Sequence, residues 1–249
     1  VTANIPFALL SLALAGVYLY SAYSLWKKNK NDRGEIGMSS RELLSLKNLC
    51  AWYAPDKPVL SDFSLDLGKN EVVGLIGLNG AGKTTFIKTV AGLLNGFRVD
   101  DAVWAGHPFS FRDKEFKKSR YIVFAEDRSF QYFTFQEYLA YVAASYGVTQ
   151  PDVAELEKGF HFEDYTHVLL KELSTGNLKK AYLIIAFALH PKLLLLDEPV
   201  NGLDFQSTEF LYQLISGYKK YGTVLFSSHI LESICLTSDR VLVLEQGKI

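Results

Sequence analysis

The sequence predicts an α/β domain with a mainly parallel sheet, preceded by one apolar helix. Two observations predict the α/β part. Short apolar runs of strand length alternate with segments of helical periodicity, and several runs are apolar throughout, as strands buried on both faces are. The third observation is that Val1–Trp26 contains no charged residue. We therefore expect a transmembrane helix at 1–26, a basic and polar linker at 27–40 and a globular domain at 41–249.

The N-terminal segment has the length and the flanking residues of a transmembrane helix. Its apolar part, Ile5–Tyr23, approaches the roughly 20 residues that cross a hydrocarbon core of about 30 Å. Aromatic residues gather at its C-terminal end, as in an interfacial belt, and basic residues follow, which places that end in the cytoplasm. These residues are Tyr18, Tyr20, Tyr23 and Trp26, and then Lys27, Lys28, Lys30 and Arg33.

Other interpretations of this segment remain open. A signal peptide carries its positive charge before the apolar run, whereas here the charge follows it. A helix that packs on the core of a globular domain usually has a charged or polar face, and this segment has no charged residue on any face. Because the chain begins with Val1, the helix is either a processed N-terminus or the last helix of a longer membrane domain.

Composition limits the kinds of ligand that we expect. Of the 249 residues, 49% are hydrophobic, which is enough for a sizeable core. The net charge is -1 and no long basic stripe is present, so nucleic-acid binding is not indicated, although one phosphorylated ligand fits a local site. Cys50 and Cys235 stand far apart without metal-ligand spacing, which favours free thiols in a reducing cytosol.

Strands and helices alternate through the globular domain. The run Val59–Leu67 alternates apolar and polar residues, as a half-buried antiparallel strand does. Further strands are predicted at Leu43–Leu46, Val72–Ile76, Leu193–Leu196, Val224–Ser227 and Val241–Leu244. Helices are predicted at Thr85–Leu94, Phe133–Tyr146 and Leu178–Leu189, the last capped by Ser174 or Thr175.

A phosphate-binding loop is predicted between the strand Val72–Ile76 and the helix that follows it. The run Gly77-Leu78-Asn79-Gly80-Ala81-Gly82-Lys83-Thr84 fits G-x-x-x-x-G-K-[ST] in the required context, although a chance match in a Gly-rich turn is the alternative. Glycines let backbone N–H groups turn onto phosphate oxygens, and the helix N-terminus adds its positive dipole. We expect nucleotide binding by Asn79, Gly80, Ala81, Gly82, Lys83, Thr84 and Thr85, with Lys83 at the β- and γ-phosphates and the Thr84 hydroxyl on Mg²⁺.

Two adjacent acids follow the predicted strand Leu193–Leu196. Ligands of open α/β sheets bind at the carboxyl ends of the strands, where Asp197 is expected to hold Mg²⁺ through water. Glu198 is placed to orient or deprotonate the attacking water. The alternative is a simple helix-capping role, and the preceding loop motif favours the catalytic interpretation.

These motifs, in this order, resemble the ATPase domain of ABC transporters. The segment Leu173–Asn177, here the signature segment, resembles the LSGGQ signature, and Asn201–Asp204 resembles the D-loop. His229 resembles the switch histidine, Tyr53 stands where an aromatic stacks on adenine, and Glu126 stands at the Q-loop glutamine. The resemblance runs from Leu43 to the C-terminus. It implies a P-loop NTPase of the ABC ATPase type, with an antiparallel β-subdomain and a helical subdomain beside the parallel core sheet.

Each of these residues also has a plain structural interpretation. Ser174 is a natural helix cap, and in this family it caps the helix while contacting the γ-phosphate. Tyr53 and His229 are each compatible with packing at a strand end. Asp204 is compatible with a turn after Gly202.

Three positions depart from the family pattern. Thr175 carries a Cβ where the family often has glycine, and Asn177 is one methylene shorter than glutamine. Glu126 is an acid where the family has an amide, and its carboxylate is also a suitable Mg²⁺ ligand. We expect a weaker constraint rather than inactivity. Lys179 and Lys180, which follow the signature segment, are expected to be solvated.

The resemblance implies a head-to-tail dimer that encloses ATP and Mg²⁺. In it, Ser174, Thr175, Gly176 and Asn177 of one chain face the γ-phosphate that Lys83 of the other chain holds. Mg²⁺ is held by Thr84, Asp197 and Glu126. The expected catalytic residues are Lys83, Glu198 and His229. Stabilisation of the transferring phosphoryl group by Lys83 and Mg²⁺ is expected to make the largest contribution to catalysis.

The resemblance also implies partners at the membrane. We expect a second ABC ATPase domain (in a homo- or heterodimer), a transmembrane permease subunit or additional transmembrane helices, membrane lipid, and no nucleic acid. The aromatic stretch Tyr121–Val148 either contacts the membrane subunit, as the corresponding region of the family does, or belongs to the core of the helical subdomain. The motif style is similar to exporting branches, so we expect export at the cell membrane with the ATPase domain on the cytoplasmic face. A non-transport role on a membrane partner is the alternative, and a soluble repair or ribosome type lacks support.

Overall fold

The computed structural model describes residues 42–229, 234–235 and 237–249. The predicted transmembrane helix at 1–26 and linker at 27–40 lie outside these residues. Among the described residues, no helix is both long enough and apolar enough to cross a membrane.

Ten strands and six α-helices are described. The strands are β1 Glu42–Ala54, β2 Lys57–Gly68, β3 Val72–Ile76, β4 Phe97–Arg98, β5 Asp101–Trp104, β6 His107–Pro108, β7 Arg120–Val123, β8 Leu193–Leu196, β9 Thr223–Ser228 and β10 Arg240–Val243. The helices are α1 Lys83–Val90, α2 Lys114–Ser119, α3 Phe135–Tyr146, α4 Ala154–Gly159, α5 Thr175–Ala188 and α6 Phe205–Gly217. Short 3₁₀ turns lie at Glu163–Tyr165, Leu170–Glu172 and Tyr218–Lys220.

A five-stranded parallel sheet forms the centre of the domain. Its strand order is β10-β3-β9-β8-β7, and every described pair in it is parallel. Because side chains alternate across a strand, the apolar runs supply two cores. Leu194 and Leu196 of β8 face one core, which includes α5, whereas Leu193 and Leu195 face the other, which includes α1 and the second sheet.

The second sheet is antiparallel and packs on the α1 side. It is built on the long pairing of β1 with β2, joined by β4, β5 and β6. The alternation in β2 places Phe63, Leu65 and Leu67 inward and leaves their neighbours exposed, as the sequence pattern predicts. Phe63 stacks on Phe86 of α1 with ring centroids 4.8 Å apart, which ties this sheet to the helix after the P-loop.

The third part of the domain is helical and contains α3, α4 and the signature segment. Thr134 begins α3 with a reciprocal capping box, in which Glu137 N–H donates to the Thr134 hydroxyl and Glu137 accepts from the Thr134 N–H. Helix α5 starts behind Ser174 and is buried along most of its length. Its apolar residues join this subdomain to the central sheet.

The predicted α/β fold, with its parallel sheet, antiparallel sheet and helical part, is confirmed. Element ends differ in places for physical reasons. The helix predicted to reach Leu94 ends at Val90, because Gly92 adopts a left-handed φ of 71° and turns the chain. Of the two caps considered for α5, Ser174 is the one found.

Candidate active site

The topology brings four loops to one edge of the parallel sheet. All strands point the same way, so the segments after β3, β9, β8 and β7 emerge side by side in that order. These segments carry the P-loop, His229, the Asp197–Glu198 pair and Glu126. The predicted site residues that lie far apart in sequence are therefore neighbours at the carboxyl edge.

The P-loop presents backbone to solvent at the start of α1. Gly82 holds a φ of 112°, and a Cβ there would lie 2.6 Å from Leu60 Cδ2, so only glycine fits. Gly80 is exposed, and a Cβ there would meet nothing within 4 Å. No side chain caps α1 and no acid lies in its first turn, which leaves its N-terminal N–H groups free for an anion.

Lys83 is buried and already oriented. Its Nζ donates to the Gly77 carbonyl oxygen at 2.6 Å and lies 3.4 Å from Glu198 Oε1. Both partners belong to loops at the sheet edge. The ammonium therefore lies where the P-loop and the acidic pair meet, as phosphate binding requires.

Asp197 and Thr84 form the oxygen-rich part of the site. The Thr84 hydroxyl donates to Asp197 Oδ2 at 2.8 Å, and the Asp197 residue is fully buried. The Ser227 hydroxyl donates to the other carboxylate oxygen, Oδ1, at 2.7 Å. The same Ser227 oxygen accepts the Glu198 N–H at 2.9 Å, so one side chain holds both acids.

Glu198 has a strained backbone and two cationic or titratable neighbours. Its φ is 46°, in the left-handed region that few residues other than glycine adopt, and such strain concentrates at functional sites. Its carboxylate is 89% buried and lies between Lys83 and His229, whose Nδ1 is 2.8 Å from Glu198 Oε2. The His229 ring is half-exposed, and when Nδ1 carries a proton it donates to Glu198.

The donor set suits Mg²⁺ completed by phosphate. Thr84 and Asp197 offer hard oxygen ligands beside a phosphate-binding loop, the usual arrangement for a metal that keeps several waters. In the part of the chain that is described, no cluster of three or more His, Cys, Asp or Glu residues could hold a metal by itself. A metal here would therefore be shared with a bound nucleotide.

The signature segment and the D-loop segment pack against each other. A Cβ at Gly176 would lie 2.5 Å from the Gly202 carbonyl oxygen, so the two backbones touch. The Lys180 ammonium binds Asp204 Oδ2 at 2.7 Å, and this hydrogen bond, with the one from the Ser207 N–H, holds the pKa of Asp204 well below its usual range. Ser174 is exposed, and its hydroxyl accepts the Asn177 N–H at 3.2 Å.

The expectation that Lys179 and Lys180 are solvated is wrong. Lys179 is 5% and Lys180 6% exposed, because both lie on the buried side of α5. Lys180 binds Asp204, and Lys179 Nζ donates to two backbone carbonyls after β7. Lysine is rarely buried unless it has such partners, so sequence alone favoured the surface.

Tyr53 and Glu126 lie at the predicted places without a contact that defines their roles. Tyr53 ends β1 and is 60% exposed. It lines an open pocket of about 480 Å³ with Trp52, Lys88 and Leu93. Glu126 is exposed in the loop after β7, and the adenine and metal roles of the two residues stay predictions.

Ser227 is the site residue that the sequence analysis did not assign a role. The signal was present, because a serine in a buried strand such as β9 must find a hydrogen-bond partner. What the sequence does not show is that β8 and β9 are adjacent, which places the hydroxyl beside both acids.

Comparison with known proteins decides the family. The family model described as "ABC transporter" matches residues 60–201. The chain belongs to the ABC transporter family. The putative ABC transporter ATP-binding protein AlbC of Bacillus subtilis (strain 168) is 34% identical over 215 residues, covering 83% of this chain and 90% of AlbC. EcsA of the same organism, an ABC-type transporter ATP-binding protein, is 32% identical over 213 residues, covering 83% of this chain and 85% of EcsA.

A solved structure of the ATP-binding subunit of an ABC transporter has the same fold. Its TM-score is 0.76 at 28% identity, and the match covers 83% of this chain and 88% of that one. The chain is thus an ABC transporter ATP-binding domain, which binds and hydrolyses ATP. Domains of this family pair with each other and with transmembrane permease subunits, on the cytoplasmic side of the membrane.

Proposed function

We propose that this chain dimerises around two Mg²⁺-ATP molecules and powers export of a solute or lipid through a transmembrane partner. The network that joins Thr84, Asp197, Ser227, Glu198 and His229 at the sheet edge carries the proposal. The oxygens of Thr84 and Asp197 and the buried Glu198 carboxylate lie beside the P-loop lysine, which supports phosphoryl transfer to water.

The proposal assigns a role to each of these residues and, from the family resemblance, to Glu126. Lys83 and the α1 N-terminus bind the β- and γ-phosphates, and Thr84 and Asp197, with Glu126, hold Mg²⁺. Mg²⁺ would supply charge neutralisation on the phosphates. Glu198 orients the attacking water and takes its proton, while His229 fixes the Glu198 carboxylate.

The signature segment supports dimerisation. Ser174 and Thr175 are exposed at the N-terminus of α5, an end that attracts anions. Among the described residues, no hydrogen bond or ion pair joins 173–177 to the chain's own P-loop. A second subunit would bring its nucleotide to this helix end, with its adenine on Tyr53 of that subunit.

An exposed aromatic surface supports the membrane partner. Phe130, Tyr132 and Tyr141 are 39%, 77% and 52% exposed, beside the loop that follows β7. The ring of Phe130 lies 4.8 Å from that of Tyr138 and 5.2 Å from that of Tyr141, so Phe130 and Tyr141 belong to one packed cluster. Such a patch on the helical part fits a protein contact.

Export is proposed from the motif style of the signature segment, the D-loop segment and Glu126. Inside-out membrane vesicles from cells that express the full chain test it. ATP should drive one or more solutes or lipids into vesicles of the unmutated chain but not into those of Glu198→Gln.

The partner surface is tested on the same membranes. Tyr132→Ala with Tyr141→Ala should leave ATP hydrolysis by the purified chain unchanged and reduce its stimulation by the co-purifying membrane protein. Tyr221→Ala, an exposed tyrosine far along the chain, is the matched control. Stimulation without accumulation in vesicles would favour a non-transport role, and equal stimulation in all variants would place the contact elsewhere.

A further inference from the structure

Lys179 lies inside the protein, between the signature helix α5 and the loop that carries Glu126. The residue is 5% exposed. Its Nζ donates to the carbonyl oxygen of Phe124 at 2.6 Å and to that of Ala125 at 2.7 Å. Phe124 and Ala125 are the two residues that separate the end of β7 from Glu126. The Lys179 ammonium therefore links α5, the helix that begins in the signature segment, to the two residues that precede Glu126, a proposed metal ligand.

The segment that Lys179 holds has few other backbone partners. Strand β7 is the last strand of the sheet and pairs only with β8 in the described part of the chain. The final backbone bond of this pairing runs from the Asp197 N–H to the Val123 carbonyl oxygen at 2.8 Å. The two carbonyls beyond Val123 accept from Lys179 instead, so its position sets the path of the chain towards Glu126.

Burial of the charged Lys179 side chain costs free energy, so a compensating role is expected. Burial lowers the pKa of Lys179 to about 8, against the attraction of the carboxylates of Asp197, Asp127, Glu126 and Glu198. A neutral donor such as glutamine would avoid most of this cost. Lysine supplies charge-assisted hydrogen bonds to both carbonyl oxygens, from a side chain that is one atom longer than that of glutamine.

We propose that Lys179 is a positioning residue that couples the signature helix to the metal side of the nucleotide site. Its ammonium fixes the two carbonyls that precede Glu126 and so places the Glu126 carboxylate for Mg²⁺. The inference rests on the proposed function, because the metal role of Glu126 comes from it. In an assembled dimer, a shift of α5 against the partner's nucleotide would move Glu126 at the chain's own nucleotide.

A positioning role and a purely electrostatic role of Lys179 predict opposite effects on the affinity for a divalent metal ion. As a positive charge beside four carboxylates, Lys179 repels a divalent cation, so removal of the charge alone would tighten metal binding. As a positioning residue it keeps Glu126 in place, so its removal weakens metal binding. The direction of the change in metal affinity separates the two roles.

The test measures Mn²⁺ binding to the full chain in detergent with ADP present, by electron paramagnetic resonance. Lys179→Gln removes the charge and draws the donor back from the two carbonyl oxygens by one atom, and should raise the Kd for Mn²⁺ about tenfold, as loss of an outer-shell partner does. Lys179→Arg keeps both charge and donors and should stay near the unmutated value. Lys158→Gln, an exposed lysine of α4, is the control and should change nothing.

Two further measurements separate positioning from loss of fold. In Lys179→Gln at neutral pH, the Kd for metal-free ATP should change little and the thermal midpoint should not fall, while kcat falls. If this variant folds poorly, Lys179→Met, of similar volume and without donors, is measured in its place with the same expected rise in Kd.

A double variant tests whether Lys179 acts through Glu126. Glu126→Ala should itself weaken Mn²⁺ binding, and adding Lys179→Gln should then weaken it by no more than about twofold, because both changes act on one ligand. A Kd for Mn²⁺ that falls or stays constant in Lys179→Gln overturns the proposal. So does a double variant whose loss is the product of the two single losses.

The outcomes separate this inference from the proposed function. An unmutated chain that binds no Mn²⁺ with ADP contradicts the metal site itself, and both proposals with it. Normal Mn²⁺ binding with an unchanged Lys179→Gln contradicts this inference alone. Failure of vesicle accumulation with a weakened Lys179→Gln contradicts export and supports the role of Lys179.

Discussion

Ser227 fixes both acids of the site from a single oxygen atom. Its hydroxyl donates to Asp197 and accepts from the backbone of Glu198, and the residue is fully buried. Asp197 thus has one oxygen bound by Ser227 and the other by Thr84. The two carboxylates can do different work, metal binding and water activation, because their environments differ so clearly.

Ser227→Ala should slow ATP hydrolysis about ten- to hundredfold, because Glu198 loses the bond that fixes its backbone. It should also lower the free energy of unfolding by about 1–3 kcal/mol, since two buried groups lose a partner. Steady-state hydrolysis and urea unfolding measure the two effects. Ser216→Ala, at an exposed serine of α6, is the control. Lowered stability with an unchanged kcat would contradict the positioning role of Ser227.

The burial of Lys179 predicts a pH dependence of stability. Burial lowers its pKa from 10.5 to about 8, so between these values the unfolded chain binds a proton that the folded chain does not. Stability from this group therefore rises with pH across that window. Relative to Lys179→Gln, the unmutated chain should gain about 2 kcal/mol between about pH 7.5 and about pH 9.5. The prediction is contradicted if urea unfolding gives the same change in the free energy of unfolding between these pH values for both proteins.

At the scale of secondary-structure elements, the loops that follow the parallel strands carry the active-site residues. Strands β3, β8 and β9 were predicted to within a residue, because continuous apolar runs of this length leave few alternatives. The edge strand β7 and the short strands β4, β5 and β6 were not predicted, since each includes a polar or charged residue that interrupts a short apolar run. The P-loop and acidic pair were predicted from local motifs, whereas Ser227 and Lys179 gain their roles from contacts distant in sequence.

The contact between signature and D-loop segments is tested by Gly176→Ala. Helix propensity alone predicts stabilisation, since alanine favours helices over glycine by about 1 kcal/mol. The new Cβ would press on the Gly202 carbonyl oxygen, so we expect instead a loss of about 1–3 kcal/mol and slower hydrolysis. Gly217→Ala, at the end of α6 with nothing within 4 Å of its Cβ, should be neutral or stabilising. Stabilisation by both changes would show that the two segments do not press together.

At the scale of the whole domain, the described residues form two cores on opposite faces of one parallel sheet, and the active-site residues lie at one edge of that sheet. One core carries the antiparallel sheet and the P-loop helix, and the other carries the helical part and α5. The fold class followed from the strand patterns, and the antiparallel and helical subdomains followed from the family resemblance. The contacts within one chain do not define the second half of the nucleotide site. Ser174 of the signature segment is exposed, and we propose that it faces the nucleotide of a second subunit.

The most direct test of the account is the oligomeric state of Glu198→Gln with ATP and Mg²⁺, by size exclusion with light scattering. Hydrolysis separates the subunits in the unmutated chain, so we predict a lasting dimer with bound ATP only when Glu198 is replaced. Glu209→Gln, an exposed acid of α6, should behave as the unmutated chain. A Glu198→Gln chain that binds ATP and stays monomeric would contradict the sandwich dimer formed by this chain alone.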